Sequence, residues 1–240
     1  MYYNTPMHTF LARCLTPSAT RAYTITSDVL AVTTVVSIVA LILETVPALA
    51  PYNDWLLLIE WVAVVIFSLE YLGRLFISRP RHRYPLSFFG IIDLVSILPT
   101  LLGLGNWTFL KSARAIRIIR LLRMLRLAKL ARQTGDVEES FGVFGLNIMI
   151  YGATLTLALI VVGTAIYLAE PTAAAFVSIP AGMWWALQVF LGGIPVSTPE
   201  TTAGEVVYVL GRFIGLLLLG LLVGVVGNLF RAYLTPSARR

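Results

Sequence analysis

The chain has 240 residues, of which 58% are hydrophobic and 12% are charged, and its formal net charge at pH 7 is +6. A soluble domain has about 25% charged residues, so this composition excludes an ordinary soluble protein and indicates an integral membrane protein. The basic residues concentrate beside apolar runs, which disfavours a nucleic-acid partner. The single cysteine, Cys14, excludes an internal disulfide framework and a cysteine-based metal site.

Apolar runs predict six membrane crossings, because a helix needs about 20 apolar residues to cross the hydrocarbon core. The predicted crossings are residues 29–50, 55–77, 86–104, 109–132, 143–169 and 203–230. Between the last two, the apolar segment 181–191 is too short to cross, so we predict a re-entrant pore helix there. Lys and Arg are absent from the loops 51–54, 105–108 and 170–202. The positive-inside rule therefore predicts that both termini are cytoplasmic.

The fourth predicted crossing carries arginines at intervals of three, with apolar pairs between them. These are Arg114, Arg117, Arg120, Arg123 and Arg126. Lys111, Lys129 and Arg132 keep the same register, so eight cations follow one another at intervals of three. Three residues advance an α-helix by about 300°, so these cations wind completely around it and leave no apolar face for the membrane surface. In a 3₁₀-helix the same residues form one straight stripe. Because a membrane potential does work of roughly 2.3 kcal/mol per charge per 100 mV, this arginine ladder indicates a voltage-sensing helix.

Acidic residues in the second and third crossings are predicted partners for the ladder. Glu60 and Glu70 are ten residues apart, about 15 Å along a helix and near the same face, with Phe67 between them. We interpret Glu60 as an outer counter-charge, Glu70 as an inner one and Phe67 as an apolar plug. Asp93 provides a second buried carboxylate. For Glu70 alone, the alternative is a local ion pair with Arg74 at i,i+4.

Taken together, these motifs resemble the voltage-gated cation channels, most closely the prokaryotic voltage-gated potassium channels, over about residues 29–233. The resemblance is carried by the arginine ladder, FxxEY at 67–71, IDLVSILP in the third run and GMWWA before the pore loop. It implies an all-α membrane protein with six transmembrane helices, arranged as a four-helix voltage sensor and a two-helix pore domain. It also implies that Phe67, Glu70 and Asp93 form the charge-transfer centre and that the ladder arginines are the gating charges.

The domain organisation follows from the same resemblance. A cytoplasmic N-terminus over 1–26 precedes the voltage sensor over 27–132. A connector over 133–142 leads to the pore domain over 143–233, and a cytoplasmic tail over 234–240 follows. Four subunits are expected to share one central pore.

The predicted pore loop departs from potassium channels of this family. Those channels follow WWA with a threonine-rich stretch ending in TVGYGD, whereas Trp185 and Ala186 are followed here by LQVFLGGIPVSTPE. Glycines tolerate unusual backbone angles, but proline removes an amide and fixes φ, so strict K⁺ selectivity does not follow. An acidic ring of the sodium or calcium type is absent from residues 187–199. The predicted filter residues are Leu191, Gly192, Gly193, Ile194 and Pro195.

Arg212 lies within the last predicted crossing, where an ionisable residue is a functional candidate by default. One interpretation is a salt bridge to Glu170, Glu200 or Glu205 of the same or a neighbouring subunit. The other is a ring of four arginines behind the filter, which would repel cations and admit anions.

The same crossing has glycines at three- to five-residue intervals, which favours close helix packing. The resemblance implies an inner-helix hinge at Gly215, with Gly220 as the second choice.

The sequence therefore predicts a homotetrameric voltage-gated channel of the cell membrane, with K⁺ as the first conducted ion and Na⁺ as the alternative. A weakly selective or anion-tolerant channel, a non-conducting voltage-responsive regulator and a proton pathway through the sensor are the remaining alternatives. The expected partners are monovalent cations, the lipid bilayer and further copies of the chain. No enzyme activity, metal or cofactor is predicted, since neither His8 nor His82 has a suitable partner.

Overall fold

A computed structural model describes residues 6–16, 20–78, 83–103 and 138–234, and its long elements are all helices. They are α1 (Pro6–Leu15), α2 (Arg21–Glu44), α3 (Asn53–Ile77), α4 (Phe88–Gly103), α5 (Glu138–Ala169), α6 (Ile179–Phe190) and α7 (Thr202–Leu234). Short 3₁₀ segments occur at Pro47–Tyr52 and Ala174–Phe176. The described chain is therefore helical, in agreement with the predicted all-α class.

Four stretches of the described helices are long and apolar enough to cross a membrane. They are Arg21–Glu44, Pro47–Ile77, Asn147–Ala169 and Thr202–Asn228. The chain is thus a multi-pass membrane protein. The described part of α4 has 16 residues, which is about 24 Å of helix. The fourth predicted crossing, 109–132, lies outside the described residues.

The first crossing differs from its predicted range of 29–50, since α2 begins at Arg21 and ends at Glu44. Its first turns are helical although they are polar, and hydroxyls there donate to carbonyls one turn back, as Thr26 does to Ala22 at 2.8 Å. Its end is earlier than predicted because Pro47 disfavours helical geometry at the preceding residue and begins a 3₁₀ segment.

Helix also extends into two regions where the sequence predicted none. The predicted N-terminal region 1–26 contains α1, and the predicted connector 133–142 overlaps α5, which begins at Glu138. Hydropathy identifies the part of a helix that is apolar enough for the membrane, and a helix can continue beyond that part. The other helix ends lie within a few residues of their predicted positions.

One compact unit comprises described residues 6–44 and 49–103 and contains α1 to α4. Helix α3 contacts each of the other three helices. Its buried stripe follows the 3.6-residue helical period and consists of Glu60, Ala63, Val64, Phe67, Glu70 and Gly73. A Cβ atom at Gly73 would lie 2.6 Å from the Leu15 side chain, so glycine permits the close approach of α1.

A second compact unit comprises residues 45–48 and the described residues 138–234. Its three helices all pack against one another. Helices α5 and α6 cross at Gly163 and Gly182, where a Cβ atom on Gly182 would come within 2.1 Å of the Gly163 carbonyl oxygen. The small residues thus allow backbone contact at the crossing. Trp185 of α6 lies in the core of this unit and is 2% exposed.

Local signals determine where α6 begins and ends. The Ser178 side chain accepts a hydrogen bond from the Ala181 amide at 3.4 Å, and Pro180 follows it in the first turn. Both residues are typical of a helix start. After the helix, Gly192 adopts a φ of 76°, the only positive φ among the described residues. Glycine adopts this conformation without the strain of a Cβ atom, so the chain can turn directly into the predicted filter.

Candidate functional site

Four predicted sensor residues lie in the interior of the first unit. Phe67 and Asp93 are 0% exposed, and Glu60 and Glu70 are 4% and 6% exposed. Phe67 packs in an apolar cluster with Ala63, Val64 and Ile97. Because Glu60, Phe67 and Glu70 share one stripe of α3, this apolar layer lies between the two acidic positions along the helix.

Glu70 forms a local ion pair. The Arg74 Nε donates to Glu70 Oε1 at 2.9 Å, and the two residues are one helical turn apart. Charge-assisted hydrogen bonds of this kind are stronger than neutral ones. The pair considered from the sequence as the local alternative is therefore formed.

Asp93 is bound by a residue that the sequence interpretation missed. The Tyr84 hydroxyl donates to Asp93 Oδ2, and the Tyr84 ring packs on Tyr71 with ring centroids 5.8 Å apart. Burial, followed by the charge of Asp93, raises the pKa of the Tyr84 hydroxyl well above its ordinary value of 10.0, so it remains a donor at neutral pH. Tyr84 is nine residues before Asp93 and outside the helix, so no helical spacing indicated the contact.

The arginine ladder, which carries the predicted gating charges, lies outside the described residues. In the described part of the chain, the candidate sensor site is an apolar layer with buried carboxylates on either side. Within the described ranges, no group of three or more His, Cys, Asp or Glu residues is arranged to hold a metal ion.

The predicted filter follows α6 as an exposed loop with one buried residue. Leu191 and Ile194 are 76% and 94% exposed, whereas Pro195 is buried. The Gly192 and Gly193 amides donate to the carbonyls of Val189 and Gln188 at 3.2 and 3.1 Å. Both glycine amides are thus engaged by the end of α6.

Two side chains of α6 hold the loop beyond the filter. Gln188 Oε1 accepts from the Val196 amide at 2.9 Å, and the Trp185 indole donates to the Ser197 carbonyl at 2.8 Å. The sequence interpretation assigned no role to Gln188, although it is the only residue of α6 with a side-chain amide. That isolated amide in an apolar helix was the available signal.

Arg212 of α7 contacts the predicted filter directly. Its Nη2 donates to the Gly193 carbonyl at 3.0 Å. Its Nη2 and Nε also donate to the Tyr208 hydroxyl at 2.7 and 3.2 Å. Among the described residues of this chain, no carboxylate lies within ion-pair distance of Arg212. A salt bridge to a neighbouring subunit remains a prediction.

Glu170, which was considered as an Arg212 partner, instead holds the start of α7. Its Oε1 accepts from the Glu200 amide at 2.9 Å, the Thr201 amide at 2.7 Å and the Thr201 hydroxyl at 2.9 Å. Burial alone would raise the pKa of this carboxyl, but the hydrogen bonds outweigh it and lower the pKa below its ordinary value. Glu170 is therefore ionised at neutral pH.

The two hinge candidates differ in their surroundings. Helix α7 is continuous through both. A Cβ atom at Gly215 would lie 2.6 Å from Phe190 Cα, whereas one at Gly220 would meet nothing within 4 Å. Gly215 therefore permits close packing of α7 on the end of α6.

The pattern of the ion transport protein family matches residues 24–233. The A-type voltage-gated potassium channel KCND3 of Homo sapiens is 30% identical over 220 residues, covering 82% of this chain and 33% of its own. The potassium voltage-gated channel protein Shal of Drosophila melanogaster is 32% identical over 200 residues, covering 79% of this chain and 34% of its own. The chain thus spans about a third of the length of these curated relatives.

Proposed function

Because the chain belongs to the ion transport protein family and is a member of the voltage-gated cation channel superfamily, we propose that it forms a voltage-gated channel for monovalent cations. The observation that carries the proposal is the family match over residues 24–233, which takes in most of both compact units. K⁺ is the first candidate ion, since both relatives above are named as potassium channels.

Voltage sensing is proposed for the first unit and the arginine ladder. Arg114, Arg117, Arg120, Arg123 and Arg126 are the proposed gating charges. The buried layer around Phe67 supports this role, because it separates two acidic positions in the direction along which arginines would move. Glu70 and Asp93 would stabilise an arginine on one side of Phe67, and Glu60 on the other. Three charges moved in each of four subunits correspond to about 28 kcal/mol per 100 mV.

Conduction is proposed for the second unit, through a central pore shared by four copies of the chain. The support is α6, whose 12 residues make about 18 Å of helix, too short to cross a membrane. The loop after it, from Leu191 to Pro195, is the proposed filter. Outward movement of the ladder on depolarisation would open the pore at the far end of α7, with a bend at Gly215 or Gly220. Both termini are proposed to lie in the cytoplasm.

A weakly selective or anion-tolerant pore is the second candidate, and one observation favours it. The Arg212 guanidinium donates to the carbonyl of Gly193, a proposed filter residue. Carbonyl oxygens of such a filter replace the hydration shell of the conducted ion. A carbonyl already engaged by a cation is a weaker ligand for another cation.

The test is the current carried by the purified chain in a planar bilayer, with KCl on one side and NaCl on the other. Voltage steps between about −150 and +150 mV span the range in which several gating charges act strongly. We expect a current that rises steeply with depolarisation. Its reversal potential should be displaced from zero toward the K⁺ equilibrium potential. Reversal at zero would indicate the weakly selective pore, and a subsequent Cl⁻ gradient would reveal anion permeation.

Two further outcomes would contradict the proposal. Transient charge movement without steady current would indicate a non-conducting, voltage-responsive regulator. Current that follows the pH gradient and survives substitution of the filter residues would indicate a proton pathway through the sensor.

A further inference from the structure

Arg212 brings a positive charge to a backbone carbonyl of the proposed filter. Its Nη2 lies 3.0 Å from the Gly193 oxygen, within normal hydrogen-bond distance. A hydrogen bond from an ionised donor is roughly twice as strong as a neutral one. The Gly193 oxygen therefore already accepts a hydrogen bond from the positively charged Arg212 side chain.

The neighbours of Arg212 hold its guanidinium in this place. The Tyr208 hydroxyl, one helical turn away on α7, accepts from both Nε and Nη2. The Tyr208 ring in turn packs on the buried Trp185 ring of α6, with centroids 6.0 Å apart. Because α7 fixes the spacing of Tyr208 and Arg212, and Trp185 fixes Tyr208, the charge has a defined position beside the loop.

The carbonyl that it contacts is fixed as well. The Gly193 amide donates to the carbonyl of Gln188 in α6 at 3.1 Å. The Gly193 carbonyl accepts from Arg212 of α7, so both backbone groups of Gly193 are hydrogen-bonded to a helix. A Cβ atom built on Gly192 would lie 3.9 Å from Arg212 Nη1, so the guanidinium lies beside both glycines of the proposed filter. The contact is therefore made at the base of the loop rather than at its exposed tip.

The charge would also act on ions without direct contact. A permeating cation bound to the Gly193 oxygen would come within about 5–6 Å of the guanidinium. At an effective dielectric constant of about 20, repulsion at this distance lowers the occupancy of K⁺ and Na⁺ alike on the order of a hundredfold, so this oxygen no longer contributes to discrimination between them. Selectivity for K⁺ depends on the number and field strength of the coordinating carbonyls. Loss of one carbonyl per subunit removes one coordinating layer.

Building on the proposed cation channel, we propose that Arg212 is a specificity-determining residue, which withdraws the Gly193 carbonyl from cation coordination and so weakens the preference for K⁺ over Na⁺. Its positive charge is the active feature, and the hydrogen bond is the means of positioning it. In this role Arg212 acts on the selectivity of the pore and not on the voltage sensor.

The test compares the full-length chain with three substitutions at Arg212 in planar bilayers, using the reversal potential between KCl and NaCl. Arg212→Gln removes the charge but keeps a side-chain N–H donor. Arg212→Leu removes both, and Arg212→Lys keeps the charge. We expect the Gln and Leu variants to raise the K⁺/Na⁺ permeability ratio, because without the charge a lone pair of the Gly193 oxygen can coordinate K⁺, whereas the Lys variant keeps the low ratio.

The Gln variant distinguishes an effect of the Arg212 charge from an effect of the hydrogen bond on loop structure. Its result can be interpreted even if the Leu variant does not fold. If Arg212 only held the loop in place, Gln would keep the wild-type ratio, and that result would overturn the inference. The matched control is Arg13→Gln, which removes an exposed cation from α1 in the other unit and should leave the ratio unchanged.

The wild-type recording separates the two proposals. A conducting, voltage-dependent wild type whose ratio is unchanged in Arg212→Gln overturns this inference alone. A wild type without ionic current overturns the proposed function, and this inference with it.

Discussion

At the scale of single residues, Glu170 shows how a buried carboxylate is stabilised by hydrogen bonds, with no ion-pair partner among the residues that the structure describes. Three donors from residues 200 and 201 converge on one oxygen, and the Thr201 hydroxyl also accepts from the Gly204 amide at 2.9 Å. Thr201 thereby caps the N-terminus of α7. The carboxylate, the cap and the helix start form one connected hydrogen-bond network.

Because this network contains the ionised Glu170 carboxylate, we expect the stability of the folded protein to depend on pH. A carboxyl whose folded pKa lies below its ordinary value of 4.5 contributes stability above that pH, and the contribution is lost as the pH falls through the folded pKa. We expect the thermal midpoint of the detergent-solubilised wild type to exceed that of Glu170→Gln by a few degrees at pH 7. The difference should shrink below about pH 4.

The control for this experiment is Asp28→Asn, which changes an exposed carboxyl beyond the first turn of α2. Its midpoint should follow that of the wild type at every pH. A difference between wild type and Glu170→Gln that is constant with pH would contradict the assignment.

Tyr84→Phe tests the contact between the loop before α4 and the candidate charge-transfer centre. The substitution keeps the ring but leaves the buried Asp93 carboxylate with one donor fewer. We expect a loss of about 1–3 kcal/mol in the free energy of unfolding, measured by denaturation in mixed micelles. Tyr71→Phe, which retains the bond between Tyr84 and Asp93, should cost less. Equal losses would indicate that the hydroxyl of Tyr84 contributes little.

The residues of the site were predictable from sequence to different degrees. That Glu60, Phe67 and Glu70 share one face follows from their spacing, because the helical period alone decides it. Tyr208 could have been predicted as a partner of Arg212, since the two are four residues apart. The Gly193 carbonyl could not, because its position depends on the path of a loop stabilised by contacts distant in sequence.

At the scale of elements, the glycines of α7 have different structural roles despite their similar spacing. Gly215 packs against backbone at the end of α6, and Gly220 has open space within its own chain. Spacing alone indicates that small residues recur, but it does not identify which of them meet a partner. The preference for Gly215 over Gly220 as a hinge came from the family resemblance, because spacing alone does not distinguish the two glycines.

The two glycines provide a matched pair of substitutions. Gly215→Ala would place a methyl group 2.6 Å from Phe190 Cα, and we expect overpacking of this kind to cost about 1–3 kcal/mol of stability. Gly220→Ala should be neutral or stabilise by up to about 1 kcal/mol, because alanine favours a helix interior. Thermal unfolding of both variants in one detergent measures the difference. Equal stability would show that α7 can shift away from α6 without loss.

Element ends were less predictable than element existence. The apolar runs identified α2, α3, α5 and α7 because a long hydrophobic stretch has few alternatives to a membrane helix. Their ends depend on local chemistry, such as Pro47 after α2, or on helix that continues past the apolar part, as at the start of α5. Helix α1 was missed because it has no run of membrane length.

At the scale of the whole molecule, the proposed function requires that the arginine ladder moves charge through the membrane field. Replacing Arg120 by Gln should reduce the steepness of the conductance–voltage relation, since each charge that crosses contributes roughly 2.3 kcal/mol per 100 mV. Arg120→Lys keeps the charge and should keep the steepness. The limiting slope at low open probability measures the effect. An unchanged slope in Arg120→Gln would exclude Arg120 from the gating charges.

Composition and charge distribution already determined the class of molecule, because few soluble folds tolerate so little charge. Family membership follows from motifs spread over both units, and it was predicted from residues such as the ladder arginines and Trp185. Selectivity was not predictable in the same way. In the proposed pore it depends on which groups the few residues between Leu191 and Pro195 present to an ion, and Arg212 contacts one of these residues from another helix.

The indole of Trp185 also gives the loop after α6 an optical signature. Its N–H is bonded to the Ser197 carbonyl and its ring meets Phe176 edge to face at 5.6 Å, whereas the rings of Trp184 and Trp55 are 61% and 67% exposed. Indole emission moves to longer wavelengths as water or lipid headgroups approach, and quenchers dissolved in lipid reach exposed rings first. A rearrangement that detaches the loop would expose the Trp185 indole and move its emission to longer wavelengths, so a change in the proposed filter could be followed by fluorescence while no current flows.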